Sequence, residues 1–258
     1  MNNECGNVLL VVPCFRESNR IGAFLPGLCT ALRVCENVSV LVVEDGGGPS
    51  EQARMSELIT GWTRQHANLL PPLMLPENIG KGGAVYAGWR EHEDAEWLGF
   101  VDADGSCPAE EVVRLINLAR LEKAPPRALF ASRVKMLGRK IDRQLKRHLL
   151  GRIYATLVSE LLDIPVYDSQ CGLKLVAAAA WRRIKPALTV NGFAFDAQLL
   201  LALRKSGCEV IEVPIDWHET PGGKIRLVRD SFKMAMDVLA IRRLSRRAAW
   251  LHSIARDL

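Results

Sequence analysis

Five short apolar runs, each ending in polar or acidic residues, constrain this chain more than any other feature. They are residues 8–13 (VLLVVP), 38–45 (VSVLVVED), 97–104 (WLGFVDAD), 128–133 (ALFASR) and 208–215 (CEVIEVPI). The first four are near-continuous and do not alternate, which is the pattern of strands covered by helices on both faces. The segments between them carry helical spacing: Ile21, Leu25, Leu28 and Leu32 over 19–35, and Val112, Leu115, Ile116 and Leu118 over 109–121. Strand alternating with helix predicts an α/β fold with a mainly parallel sheet and right-handed crossovers. With 258 residues, 48% of them apolar, one sizeable core is expected.

In such sheets ligands bind beyond the carboxyl ends of the strands. Here those ends carry Pro13 to Glu17, Glu44-Asp45, Asp102 to Asp104 and Ser132-Arg133, so four strands deliver polar groups to one rim. A long amphipathic helix is expected over 139–163, with Ile141, Leu145, Leu149, Ile153, Leu157 and Leu161 at a repeat of four. Another is expected after Pro214, with Phe232, Met236 and Leu239 on one face.

Charge is unevenly placed. Between Arg133 and Arg152 eight Lys or Arg stand against one acid, and between Lys224 and Arg247 eight stand against two, while the rest of the chain is net acidic. Two basic runs on an acidic remainder suit an anionic partner as well as a solvated helix face. The seven cysteines have no C-x-x-C spacing, so thiols in a reducing cytosol are expected. The first residues lack a secretory pattern, and no run approaches the ~18 apolar residues of a membrane span. A cytoplasmic protein that meets a membrane only from its surface is the expectation.

Asp102-Ala103-Asp104 is the sharpest chemical signal. Alternate residues of a strand point to opposite faces, so both carboxylates reach one ion only if the chain bends at the strand end. Gly105 and Pro108 give it reason to bend. Hard oxygen ligands suit Mg²⁺ or Mn²⁺ alongside phosphate oxygens. A helix cap or a simple turn is the competing reading. Asp45, after the second run, suits a base N–H or a ribose hydroxyl. Gly80-Lys81-Gly82-Gly83 opens a helix and can present N–H groups and an ammonium to phosphates, or serve helix–sheet packing. It is not a Walker A motif. The arginines of the first basic run, Arg133, Arg139, Arg143 and Arg147, suit an acceptor phosphate.

As a set, Pro13-Cys14-Phe15-Arg16-Glu17, Glu44-Asp45, Asn78-Ile79-Gly80-Lys81-Gly82 and Asp102-Ala103-Asp104 resemble the family 2 glycosyltransferases of the GT-A fold. The later segments Asp168 to Lys174, Gly192 to Asp196, Glu212 to Trp217, Gly223-Lys224 and Val228 to Ser231 are similar to polyprenyl-phosphate glycosyltransferases, especially dolichyl-phosphate glucosyl- and mannosyltransferases. The resemblance runs from about residue 8 to 243. It implies a Rossmann-like three-layer sandwich, with residues 1–222 as catalytic domain and 223–258 as a basic helical appendage. It implies that Pro13, Phe15, Glu17 and Asp45 hold the nucleoside, and that Asp102, Ala103 and Asp104 serve diphosphate and metal. Lys81, Arg133, Lys174 and Lys224 become further anion contacts, and Ser106 stands where the mannosyl enzymes often have a Gln metal ligand.

The expected reaction is inverting transfer of a hexose from a nucleotide sugar, UDP-glucose or GDP-mannose, to a polyprenyl phosphate, with Asp102, Asp104, Arg133 and Asp196 as catalytic candidates. A lipid monophosphate is largely dianionic at neutral pH, its second pKa being near ~6, and requires no strong base. A saccharide hydroxyl does require one, for which Asp168 or Asp196 are the candidates. A non-catalytic nucleotide-sugar-binding protein is the other alternative. A sugar-phosphate nucleotidyltransferase is disfavoured, since PCFRESNR is not a glycine-rich activating loop. The expected partners are a nucleotide sugar, a polyprenyl phosphate or anionic membrane surface, and room for a membrane-anchored partner subunit; no nucleic acid is expected.

Overall fold

The structure is a computed structural model that describes residues 6–121, 127–142, 145–220, 227–247 and 250; the side chains of 145–148, 150 and 227–232 are outside that description. In chain order the elements are β1 (Val8–Cys14), α1 (Leu25–Ala31), β2 (Val38–Asp45), α2 (Pro49–Thr63), β3 (Leu73–Leu75), α3 (Lys81–Glu91), β4 (Trp97–Val101) and α4 (Ala109–Leu121). They continue with β5 (Arg127–Ser132), β6 (Ile141–Asp142), α5 (Leu145–Leu162), β7 (Leu173–Ala177), α6 (Ala178–Ile184), α7 (Phe195–Lys205), β8 (Glu209–Pro214), β9 (Trp217–His218) and α8 (Leu227–Ser245).

Seven strands form one sheet in the order β3-β2-β1-β4-β7-β5-β8, and β6 pairs with β9 in a separate ribbon. All pairings in the large sheet are parallel except those of β7, which runs antiparallel between β4 and β5. Both faces of the sheet are covered. Leu9 and Val11 of β1 enter one core with Phe100, Trp89 and Trp181, while Leu10 and Val12 enter the other with Val40, Ile59 and Leu115. Strand residues of both parities are buried, which is why the run from Val8 to Val12 carries no alternation. This is the expected three-layer α/β sandwich.

Order reverses between β1 and β4: successive strands run outward from β1 through β2 to β3, then the chain returns to β4 on the other side. The crevice at this switch point is where such sheets take ligands. The carboxyl ends of β1 and β4 flank it.

Two expected helices are corrected. Over 19–35 the chain makes a short 3-10 turn at Ile21–Ala23, α1, and a second turn at Leu32–Val34, with Pro26 seated in the first turn of α1. The helix expected from 139 begins only at Leu145, because Ile141 pairs with Trp217 as a strand. Its buried face also differs. Tyr154, Val158 and Leu162 are buried, whereas Leu149 and Ile153 of the expected stripe are exposed. The helix after Pro214 is α8, which packs on α5 and α7 and buries Val238 and Ile241. The six described cysteines are free thiols, and all are buried.

Candidate active site

The rim at the switch point is built from backbone turns before any ligand is considered. Asp45 ends β2 and is buried, and its carboxylate accepts from Ile79 N (2.8 Å), Gly80 N (2.9 Å) and Asn78 Nδ2 (3.0 Å). Burial raises its pKa, against the pull of the Ile79 and Gly80 amides. Asp45 therefore fixes the loop that leads into α3, its oxygens taken by the Ile79 and Gly80 amides and the Asn78 side chain. Glu44 is fully buried and accepts from Gly47 N at 2.8 Å.

The glycines of the α3 start serve close packing. Gly80 has φ 93°, and a Cβ there would stand 2.6 Å from Asn191 O; one on Gly82 would stand 2.4 Å from Phe195 Cβ. Gly83 N donates to Asn191 O at 3.1 Å. The Ile79, Gly80 and Gly83 amides are thus engaged within the protein, and Lys81 adds an ammonium at the same helix start.

That ammonium reaches across the switch point to β4, where its Nζ lies 2.6 Å from Asp102 Oδ1. Burial lowers the Lys81 pKa, and the charges of Asp102, Asp196 and Asp104 more than offset this, so it stays raised and the lysine charged. Asp102 N donates to Gly172 O at 2.8 Å, and a Cβ at Gly172 would stand 2.2 Å from Asp102 Oδ2. A bare glycine thus makes room for this carboxylate.

Two residues on, Asp104 Oδ1 accepts from Ser106 N at 2.9 Å, and Gly105 takes φ 71°. This is the bend that the Gly-Ser-Cys-Pro sequence announced. Burial and then the Asp102 charge raise the Asp104 pKa. A buried carboxylate whose ionisation is made costlier by a neighbouring one forms with it a donor set suited to a hard divalent cation. Ala103 between them is buried. Among the described residues no third Asp, Glu, His or Cys completes a cluster. Ser106, expected as a ligand, is buried and its Oγ accepts from Thr220 N at 3.2 Å, so it ties the bend to the segment after β9. The Asp102 and Asp104 carboxylates are a donor set that fits Mg²⁺ or Mn²⁺, with remaining positions left to phosphate oxygens and water.

Pro13 near the end of β1, and Phe15 and Glu17 just beyond it, are each partly exposed at the other side of the crevice. Arg16 stacks 5.1 Å from the Phe15 ring centre, and Glu17 pairs with Arg20 at 3.1 Å.

Three of the remaining expected contacts, Arg133, Arg139 and Lys174, are paired with acidic side chains of the protein. Arg133 makes a paired contact with Asp168, Nε to Oδ2 at 2.6 Å and Nη2 to Oδ1 at 2.8 Å, and lies 5.0 Å from the Trp217 ring centre. Burial lowers the Arg133 pKa and the Asp168 charge more than restores it. Glu212 in turn receives Tyr167 N and Asp168 N, both at 2.8 Å. Arg139 is held by Glu111 at 2.8 Å. Lys174 has no exposed surface and faces Asp196 at 2.7 Å. Lys224 and Arg143 lie outside the described residues, as does the side chain of Arg147. The acidic partners Glu111 and Glu212 were not anticipated from sequence. Each stands on a separate element from its arginine or amide, and only the topology brings them together.

No family model matches the chain. A dolichyl-phosphate beta-glucosyltransferase of Saccharomyces cerevisiae is 29% identical over 260 residues, covering 96% of this chain and 76% of that protein. A protein of the same description from Trichomonas vaginalis is 31% identical over 251 residues, covering 93% of this chain and 72% of its own length. Among solved structures, glucosyl-3-phosphoglycerate synthase from Mycobacterium tuberculosis with Mn²⁺, UDP-glucose and phosphoglyceric acid superposes with TM-score 0.64 at 13% identity, covering 93% and 79% of the two chains. The mainly parallel sheet with its one antiparallel strand is the GT-A fold, with acidic residues at its switch point. The chain belongs to the family 2 glycosyltransferases, in the company of the dolichyl-phosphate beta-glucosyltransferases.

Proposed function

We propose that this enzyme transfers glucose from UDP-glucose to a polyprenyl phosphate of the dolichyl type, inverting the anomeric carbon, with Mg²⁺ or Mn²⁺ as cofactor. The names of the relatives support the sugar and the acceptor, and the fold neighbour bound to UDP-glucose and Mn²⁺ is consistent with the donor.

The observation that carries the acceptor is the state of the two candidate bases. Asp168 is closed in its paired contact with Arg133, and Asp196 is buried against Lys174. A saccharide hydroxyl would need one of them to accept its proton. A phosphate oxygen, already ionised near neutral pH, attacks without such help. This favours the lipid phosphate over the hydroxyl reading.

In this reading the crevice between β1 and β4 takes the nucleotide, with Pro13, Phe15 and Glu17 on the nucleoside side. Departure of the nucleoside diphosphate leaves negative charge on a phosphate oxygen. A divalent cation held by Asp102 and Asp104 would supply Lewis-acid stabilisation of that charge. Lys81 adds a second cation from the opposite wall, drawn from its contact with Asp102 toward the diphosphate. The acceptor attacks from the face of the sugar away from the diphosphate, through an oxocarbenium-like state.

A membrane-facing acceptor agrees with one surface feature. Between β5 and β6 a turn closed by Arg139 N on Met136 O presents Leu137, 98% exposed, and Met136, half exposed, beside Lys135 and Lys140. An apolar tip with basic flanks suits an anionic lipid surface. No helix among the described residues is long and apolar enough to cross a membrane. We therefore place the protein peripherally, at the cytoplasmic face, with residues 1–222 as the catalytic unit and 223–258 as a basic helical appendage; a membrane-anchored partner subunit is compatible with this placement.

The test is incubation with UDP-glucose or GDP-mannose and a short-chain polyprenyl phosphate, with Mn²⁺ or with EDTA, followed by extraction of lipid-linked sugar. A glucolipid formed from UDP-glucose and abolished by EDTA is expected. Transfer only to a saccharide acceptor, or nucleotide-sugar binding with no transfer, overturns the reading.

A further inference from the structure

Lys174 is an unusual residue to find in the middle of a sheet. It stands on β7, paired on one side with Phe100 of β4 and on the other with Phe130 of β5, and has no exposed surface. Its ammonium donates to Cys171 O at 2.7 Å and lies 2.7 Å from Asp196 Oδ1, 5.2 Å from the Phe100 ring centre and 4.9 Å from that of Phe130.

The same Phe100 ring lies 5.3 Å from the ammonium of Lys81, which is also 5.9 Å from the Phe195 ring centre and 2.6 Å from Asp102 Oδ1. Phe195 and Asp196 are consecutive residues of the first turn of α7. Two lysines and two aspartates are therefore gathered about three aromatic rings, with Phe100 shared, and each lysine holds one carboxylate. One pair lies wholly inside the protein and the other reaches the rim.

Stability alone is a poor reason for the inner pair, since replacing a buried ion pair by apolar residues is often neutral or stabilising. Charge balance gives a better one. Lys81 feels the Asp196 charge as well as that of Asp102. Were Asp196 unpaired, it would draw the Lys81 ammonium inward, away from Asp102 and from any diphosphate in the crevice.

We propose that Lys174 and Asp196 form a positioning pair, in which Lys174 neutralises Asp196 so that Lys81 stays on Asp102 and remains available to the diphosphate of the donor. Asp196 is then neither a general base nor a ligand contact. This rests on the nucleotide-sugar reading of the crevice for its functional consequence, but the choice of partner made by Lys81 is a structural matter that is tested separately.

The experiment compares Lys174→Met with the double variant Lys174→Met/Asp196→Asn, using UDP alone and UDP with Mn²⁺ in calorimetry, and a crystal structure of each. In Lys174→Met, UDP affinity is expected to fall at least tenfold, with Lys81 found on Asp196. In the double variant, which lacks the stray charge, affinity is expected to return to within threefold of the original protein, with Lys81 back on Asp102. Lys81 remaining on Asp102 in the single variant, or a double variant as impaired as the single, overturns the proposal. If the single variant does not fold, the double variant decides: a tenfold loss there is equally contrary. Failure of the unaltered protein to bind UDP would instead count against the nucleotide-sugar reading, while the position of Lys81 in the two crystal structures would still decide the pairing.

Discussion

The carboxylate of Asp45 binds the amide of Gly80 at 2.9 Å, joining the end of β2 to the start of α3 across 35 residues of chain. With Ile79 N and Asn78 Nδ2 on the same carboxylate, one side chain sets where Lys81 emerges. Asp45→Ala leaves these donors without their acceptor. A loss of about 3 kcal/mol is expected, given the cost of unsatisfied buried groups and the strength of hydrogen bonds to charge. Urea denaturation measures it, and a loss under about 0.5 kcal/mol would contradict this role for Asp45.

Gly172→Ala is expected to separate function from stability. Its Cβ would meet Asp102 Oδ2 at 2.2 Å and Cγ at 2.4 Å, so the carboxylate group must turn away, while Asp102 Cβ at 3.0 Å needs only a small shift. The cost in stability is then only about 1 kcal/mol. The turned carboxylate loses Lys81 and its place beside Asp104, so Mn²⁺ affinity in calorimetry is expected to fall at least tenfold. Unchanged Mn²⁺ binding would show that Asp102 does not contribute to the cation site.

Alkaline pH is expected to weaken the fold through buried thiols. Burial raises Cys29 from 9.0 to about 11, and Cys171 and Cys208 to about 12. A folded-state pKa above the unfolded value means that the stabilising, neutral form is fully present below pH 9 and its contribution is lost as pH rises toward 11–12. Each thiol weakens folding by about 1.4 kcal/mol per pH unit in that window. Urea midpoints measured from pH 8 to 11 should fall increasingly steeply, and less so in a protein with all three changed to Ala. Identical slopes for the two proteins would contradict the assignment.

The strand ends that build the crevice were legible because β1, β2, β4 and β5 are apolar runs stopped by charge, and Asp102 and Asp104 stop one of them. Strand β7 was not, because Lys174 interrupts its apolar pattern and is tolerated only by a partner on α7. Pairs of two residues, as in β6 and β9, are too short to show any period. In α5, apolar residues lie on more than one face, and a strict repeat of four selected Leu149 and Ile153 when the neighbouring line of Tyr154, Val158 and Leu162 is the buried one. Sequence likewise placed Arg133, Asp168, Lys174 and Asp196 near the rim while leaving their mutual pairing unseen, since each pair joins segments distant in the chain.

In the proposed reaction a phosphate oxygen, not a hydroxyl, attacks the anomeric carbon. Phosphorus-31 and proton NMR of the lipid product made from UDP-glucose tests this most directly. Coupling between phosphorus and the anomeric proton is expected, with β configuration at that carbon. An anomeric proton without phosphorus coupling, or retained α configuration, would contradict it.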